Sequence, residues 1–247
     1  YIGRLLIKRL ASEPSIEHIL ATDVRPILDS NNKVTYITQD INESLEEAFI
    51  QHNVEVVIHL AFLMKQHRQR KLSYDINVNG TRNLLKACRA ANIKRFICLS
   101  STTVYGAHPD NELPLTEESP LRPIQNFHYS VDKVTTEALL SQYAERNTGL
   151  SLAILRSPVI MGPKANNFIT SALFKPFMVG LKGFDPPLQF THETDIIDLI
   201  WFLLNHWYEG VFNVASSGTI KWSEISHIAG LKLFWIHPHT NGSIRTK

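Results

Sequence analysis

Cysteine is nearly absent from this sequence: Cys88 and Cys98 are the two in 247 residues. Two thiols cannot build a disulfide framework or a four-ligand zinc site, and their scarcity fits a reducing, cytoplasmic setting. The eleven histidines form no His-x-x-x-His pair and the cysteines no Cys-x-x-Cys, so no metal site is expected. Long apolar runs are missing as well. Leu199–Leu204 covers six residues, against roughly 20 for a membrane-spanning helix, so no membrane partner is expected. Charge of one sign is also lacking. With 25 Lys and Arg against 23 Asp and Glu, the net charge of +2 excludes charge-driven disorder and gives no basic face for nucleic acid. What is present is apolar mass: 44% of the residues are hydrophobic, enough for one large α/β domain or a domain with a smaller cap.

The ends read as cut. Tyr1-Ile2-Gly3-Arg4-Leu5-Leu6 is already in helical periodicity with no preceding strand, which points to residues before Tyr1. After Trp222–Ile225 the periodicity decays, and Leu231–Lys247 reads as disconnected pieces. Between the ends, short apolar runs alternate with helical patterns. Strands are expected at Ile19–Asp23, Val34–Ile37, Val54–Leu60, Arg95–Ser101 and Leu150–Leu155, and helices at Asn42–His52, Ile76–Ala91 and Tyr129–Asn147. Val54–Leu60 and Arg95–Ser101 lack polar alternation, as strands of a parallel sheet covered on both faces do. The pattern predicts a Rossmann-type doubly wound parallel sheet over residues 1–162. Beyond Gly162-Pro163 the alternation loosens at Pro176, Pro186 and Pro187. A smaller C-terminal substrate lobe is expected over 163–247, with some segments returning to the sheet.

In such a sheet, ligands bind outside the carboxyl ends of the strands. Asp23, Asp40, Leu60-Ala61 and Ser100-Ser101 stand there. Asp23 follows Gly3 by 20 residues, the spacing at which an acid takes ribose hydroxyls of a dinucleotide; a helix cap or turn is the alternative. Its carboxylate would repel a 2′-phosphate and so favours NAD over NADP, although Arg25 leaves NADP open. Tyr129 and Lys133 are four apart on an expected helix, so they share a face, where the ammonium can lower the pKa of the phenol. A phenol tuned downward suits general acid/base work. The same spacing also arises in ordinary solvated pairs. Ser101, 28 residues before Tyr129, ends a buried strand where its hydroxyl could share a substrate oxygen.

Several further motifs occur in order: Tyr1-Ile2-Gly3, Asp40-Ile41, His59-Leu60-Ala61, Asn77-Val78-Asn79-Gly80-Thr81, Leu99 through Gly106, Leu155-Arg156 and Gly162-Pro163. With Asp23 and Tyr129…Lys133, the set resembles the extended short-chain dehydrogenase/reductases, the NAD-dependent epimerase/dehydratase family. Gln189-Phe190-Thr191-His192 and Gly210–Ala215 continue the likeness to about Gly218. The resemblance implies an enzyme with NAD as cofactor. It implies Tyr129 as acid/base, Lys133 on the nicotinamide ribose and Ser101 on the substrate oxygen. It further implies Asp23 at the adenine-side ribose, Asp40 and Ile41 at the adenine, and Leu60 and Ala61 along the pyrophosphate. Ile2, Gly3, Asn77 and Pro158 complete the implied cofactor shell.

Departures narrow the chemistry. Dehydrating and decarboxylating members carry acids just after the catalytic hydroxyl, where this chain has Thr102 and Thr103. The Ser-Thr-Thr-Val-Tyr-Gly run is most similar to sugar-nucleotide 4-epimerases. Against a nucleotide sugar, Val159 stands where those enzymes have a substrate-contacting Asn, and Leu188 where a nucleotide-gripping Arg is common. Three readings follow: a sugar-nucleotide epimerase, a reductase of a non-nucleotide alcohol or ketone, and a cofactor sensor without turnover. The intact Ser101, Tyr129 and Lys133 count against the sensor. Lys65–Lys71 is a basic run, either a solvated face or a phosphate contact. Trp201, Phe202, Trp207 and Tyr208 read as a packed helix face. Leu84, Leu85, Ala87 and Cys88 with Val134, Leu139, Leu140 and Tyr143 are more apolar residues than one buried face needs, which points to a homodimer through those two helices.

Overall fold

The computed structural model describes residues 1–27, 30–64 and 70–237. The chain enters as α1 (Ile2–Ala11), which buries Ile2, Leu6 and Leu10 at helical spacing. β1 (Ile19–Asp23) and β2 (Val34–Thr38) follow as a parallel pair in which Asp23 lies opposite Thr38. α2 (Glu46–Gln51) is shorter than the expected Asn42–His52. Asp40 Oδ1 accepts from the Asn42 backbone N–H at 2.9 Å and its side-chain amide at 3.1 Å, which holds this stretch as a turn. β3 (Val56–His59) is likewise shorter than the expected Val54–Leu60, and the Glu55 carbonyl just before it accepts from Lys94 and Arg95.

The next helix starts six residues before Ile76, the expected start. α3 (Arg70–Tyr74) runs through a π turn at Asp75–Asn79 into α4 (Gly80–Ala90), with helical backbone at each junction. The polar string Arg70–Asp75 hides this start from a reading based on apolar periodicity. Lys65–Gln69 of the basic run lie outside the described residues. β4 (Arg95–Ser101), α5 (His128–Arg146) and β5 (Ser151–Ser157) come next.

The chain then forms β6 (Val159–Met161), α6 (Phe168–Leu173), β7 (Phe177–Leu181), β8 (Pro187–Leu188) and β9 (Phe190–His192). It continues as α7 (Glu193–His206) and β10 (Gly210–Asn213), and ends in β11 (Ile220–Lys221), α8 (Trp222–Ile228) and β12 (Lys232–Ile236). Two compact units result. The first holds Tyr1–Pro158 and Thr194–Val214, and the second Val159–Glu193 and Ala215–Lys247.

In the first unit β10, β5, β4 and β3 stand side by side, all parallel, each crossing back through a helix. This is the doubly wound α/β arrangement. Its core gathers Phe49, Val57, Phe96, Cys98, Leu140 and Ile154, and each such side chain buried contributes about 1.5–3 kcal/mol. Leu84, Leu85, Ala87 and Cys88 belong to this core, at 7% exposure or less. The apolar excess on α4 therefore packs inside one subunit, and the dimer argument loses those four residues and Leu140 of α5. Phe202, Trp207 and Tyr208 differ from expectation too. They are 45%, 48% and 56% exposed, and Phe202 and Tyr208 group with each other and His206 rather than packing inward.

The second unit is three small strand pairs: β6 with β9, β8 with β11, and β7 with β12. The pairing of β12 with β7 in parallel register corrects, for Lys232–Ile236, the expectation that Leu231–Lys247 is disconnected pieces; residues 238–247 lie outside the described residues. No described helix is long and apolar enough to cross a membrane.

Candidate active site

β4 runs through the core with six of its seven residues buried, and its carboxyl end delivers Ser101. There the backbone turns into a short 3₁₀ helix, Thr102–Tyr105. Ser101 Oγ caps it, accepting from the Thr103 N–H at 3.3 Å and the Thr103 hydroxyl at 3.0 Å. Gly106 ends the turn at φ +68°, where a Cβ would strike the Arg122 carbonyl at 2.1 Å, so only glycine fits.

α5 brings Tyr129 and Lys133 to the same strand end. The Lys133 ammonium donates to the Leu99 carbonyl at 2.7 Å and lies 3.6 Å from the centre of the Phe62 ring. Tyr129 stands between two phenylalanines, edge-on to Phe62 at 5.4 Å and tilted against Phe127 at 5.6 Å. Burial pushes its phenol up to about 12, against the hydrogen bond with Ser101 that pulls it down. The expectation from spacing is the reverse, a phenol lowered by Lys133. The ammonium instead engages Leu99 and Phe62, 5.8 Å from the Tyr129 ring centre. Burial brings Lys133 itself down to about 8, while Cys98 and Glu137 act to raise it. Ser101, Tyr129 and Lys133 thus meet at one place, with the phenol protonated at neutral pH.

The other expected residues distribute along the strand ends. Ile2 is buried, and a Cβ added to neighbouring Gly3 would meet Leu60 Cδ1 at 3.8 Å, so the start of α1 adjoins the end of β3. Asp23 ends β1. Burial raises its carboxyl, but hydrogen bonds from the Arg25 backbone and guanidinium outweigh this and hold it below the ordinary carboxylate range. Asp40 folds onto Asn42, and Ile41 packs against Gly80. Leu60 is half-buried and Ala61 exposed, just past β3, and Pro158 follows β5 half-buried.

Asn77 takes a different part from the one expected. It is 1% exposed, and its amide is committed to the Leu63 backbone at 2.8 and 3.3 Å and to Asp132 Oδ2 at 3.0 Å. It anchors the loop that carries Phe62 to the helix that carries Tyr129. Asp132 is fully buried, with the Arg70 guanidinium 2.6 Å from Oδ1. Among the described residues, no group of three or more His, Cys, Asp or Glu is placed to hold a metal.

Sequence reasoning missed Phe62, Asp132 and Glu137. Glu137 had a signal, since it continues the four-residue spacing of Tyr129 and Lys133. Phe62 had none, because its loop has no periodicity.

A family model for the NAD dependent epimerase/dehydratase family matches residues 1–215. A Mycobacterium tuberculosis protein whose name states no activity is 25% identical over 238 residues, 93% of this chain and 63% of that protein. The chain thus spans under two thirds of that relative's length. The 3beta-hydroxysteroid-dehydrogenase/decarboxylase isoform 1 of Arabidopsis thaliana is 31% identical over 133 residues, 54% of this chain and 30% of that protein. Among solved structures, MoeE5 in complex with UDP-glucuronic acid and NAD superposes at TM-score 0.80 with 25% identity, covering 96% of this chain and 82% of that one. The UDP-glucose 4-epimerase of Thermus thermophilus, at TM-score 0.81 and 19% identity, covers 97% and 84% and shares the fold. The matched span takes in the strand ends with Ser101, Tyr129 and Lys133, and the chain belongs to the NAD dependent epimerase/dehydratase family.

Proposed function

We propose that this chain is an NAD-dependent oxidoreductase that converts a hydroxyl to a ketone and back, as a nucleotide-sugar epimerase does. The observation that carries the reading is the meeting of Ser101, Tyr129 and Lys133 at the end of β4. MoeE5, with its UDP-sugars and NAD, supports the substrate class.

The surrounding residues fit the cofactor. The first turn of α1 carries no acid and no side-chain cap, so its amides suit a pyrophosphate. Gly3 leaves space beside Leu60, and Asp23 offers a carboxylate for ribose hydroxyls rather than for a 2′-phosphate. Asp40, Ile41, Leu60, Ala61 and Pro158 line the same strand ends. NAD, when bound, supplies the hydride acceptor and donor. Tyr129, protonated at neutral pH, gives its proton to a carbonyl oxygen held by the Ser101 hydroxyl. In the oxidising direction Tyr129 must accept a proton, and the Ser101 hydroxyl is the group that stabilises its anion, while the Lys133 ammonium stays on the Leu99 carbonyl.

A second reading, reduction of a non-nucleotide alcohol or ketone, has its own support. Phe62 and Phe127 flank the phenol with apolar surface, and Val159 and Leu188 replace polar groups in the sequence. The steroid-type relative agrees with it. A screen that follows product formation by chromatography, with reduced-nicotinamide fluorescence beside it, separates the two, because an epimerase returns the hydride and leaves no net reduced cofactor. Turnover of a nucleotide sugar supports the epimerase, turnover of apolar secondary alcohols alone supports the reductase, and neither in an NAD-loaded protein rejects both.

The proposal includes a cytoplasmic setting and a homodimer. Val134, Leu139 and Tyr143 of α5 are half-buried in one subunit and form the remaining candidate contact.

A further inference from the structure

One residue below Ser101 lies a buried polar layer. In the parallel register Ser100 of β4 pairs with Arg156 of β5, which pairs in turn with Asn213 of β10. Glu137 meets this layer from α5. Its carboxylate accepts from the Ser100 hydroxyl, from Arg156 Nε at 3.3 and 3.1 Å, and from Arg156 Nη2 at 2.8 Å. The other arm of Arg156 donates to the Tyr105 hydroxyl at 2.9 Å and the Glu117 carbonyl at 3.0 Å. Tyr105 donates on to Asn213 Oδ1 at 2.6 Å. Glu137 and Arg156 are 4% and 5% exposed.

A buried ion pair is weak evidence for stability, since well-packed apolar residues often do as well in its place. Its place in the fold suggests another role. Leu99, Ser100 and Ser101 are consecutive: the first accepts from Lys133, the second is gripped by Glu137, and the hydroxyl of the third acts on the Tyr129 phenol. Glu137 itself follows Lys133 by four residues and Tyr129 by eight on one side of α5. A shift of α5 along β4 by one residue would break all three contacts together.

We propose that Glu137, locked to Arg156 and Ser100, is the positioning residue of this site: it keeps α5 in register with β4 and keeps Lys133 charged. For its activity arm the proposal rests on the oxidoreductase reading above. The groups facing Lys133 are Glu137 and Tyr129 on its own helix, Cys98 and the Leu99 carbonyl on β4, His59 on β3, and the Phe62 ring. Burial keeps His59 neutral, with its imidazole down to about 3, and keeps Cys98 a thiol, up to about 11. That leaves Glu137 as the anion that supports the ammonium.

The test follows the Lys133 titration by NMR of isotope-labelled lysine, together with NAD affinity, kcat and KM. In Glu137→Gln the titration is expected to fall by about one pH unit, a tenfold change in that equilibrium. NAD binding should weaken and kcat should drop about tenfold or more, with KM little changed. Glu137→Asp, which keeps the charge, should recover the titration in part. The pair Glu137→Leu/Arg156→Met, filled with apolar volume so that folding is retained, should keep the melting temperature but not kcat. Wild-type titration and turnover in a folded Glu137→Gln or in the folded pair overturns the proposal. The lysine titration needs neither NAD nor substrate, so it decides the positioning role even where no nucleotide sugar is turned over.

Discussion

His59 ends β3 with 5% exposure, its ring edge-on to Phe96 and its Nε2 3.1 Å from the Thr81 hydroxyl. Thr81 gives its own proton to the Asn77 carbonyl at 2.6 Å, so Nε2 carries the hydrogen and donates. Burial, and then the Lys133 charge, bring the imidazole from an ordinary 6.5 down to about 3. Between those two values the unfolded chain binds a proton that the folded chain refuses. Stability is therefore unaffected above about 6.5 and is lost as pH falls towards 3, by up to about 1.4 kcal/mol per pH unit. Urea titrations across this window should show His59→Gln with a flatter loss than the parent; equal slopes would place the lability elsewhere. Residues of this kind mark the limit of sequence reading. That Tyr129 and Lys133 share a helix face was legible from their spacing. That burial would lift the phenol and lower the ammonium was not, because desolvation depends in part on Phe62, which reaches the pair through the fold.

The continuous helix from Arg70 to Ala90 links Ile41, at Gly80, to the loop that carries Phe62 and the helix that carries Tyr129, at Asn77. Its π turn takes up one extra residue and presents Asn77 inward, to Leu63 and Asp132 at once, a local irregularity often found at functional sites. Just beyond it, Gly80 lets Ile41 lie against the helix backbone. An added Cβ would sit 2.4 Å from Ile41 Cγ2, and Asn83 pins the Ile41 carbonyl at 2.9 Å, so the branched side chain has little room to yield. Alanine normally gains about 0.5–1 kcal/mol over glycine inside a helix, whereas overpacking costs about 1–3 kcal/mol. Gly80→Ala is thus expected to destabilise by about 1–2 kcal/mol, read as a lower urea midpoint at unchanged slope. A raised midpoint would show that Ile41 is not confined there. The parallel strands and α5 were legible in sequence as unbroken apolar runs and helical spacing. The turn at Asp40–Asn42 and the start at Arg70 were not, because side-chain-to-backbone bonds and polar helix faces leave no apolar period.

At the scale of the molecule, two compact units divide the chain, and the chemistry argued above lies in the first. The α/β alternation along the sequence marked the parallel strands β3, β4 and β5 of that unit. The second unit is built from two- to five-residue strands, and β12, as long as β1, was missed because it is exposed along almost all its length and carries no buried alternation. Assembly follows from what α4 and α5 leave uncovered. In the homodimer proposed above, with the α4 apolar residues and Leu140 committed to the core, the contact falls to the half-buried Val134, Leu139 and Tyr143, the last two of which also pack against that core. Sedimentation over a micromolar range should show a species heavier than 28.1 kDa, and one concentration-independent monomer would exclude it. The central claim is that Tyr129 moves the proton while NAD takes the hydride. It is tested most directly by loading the protein and its Tyr129→Phe variant with NAD and following, in a single turnover, the transient rise of reduced-nicotinamide fluorescence with the substrate found in the screen. The expected result is a rate lower by about 10²–10⁴-fold in the variant, with NAD affinity nearly unchanged, since only the ionisable hydroxyl is lost. A variant that keeps more than about half of the parent rate, where a general acid/base should supply orders of magnitude, would contradict it.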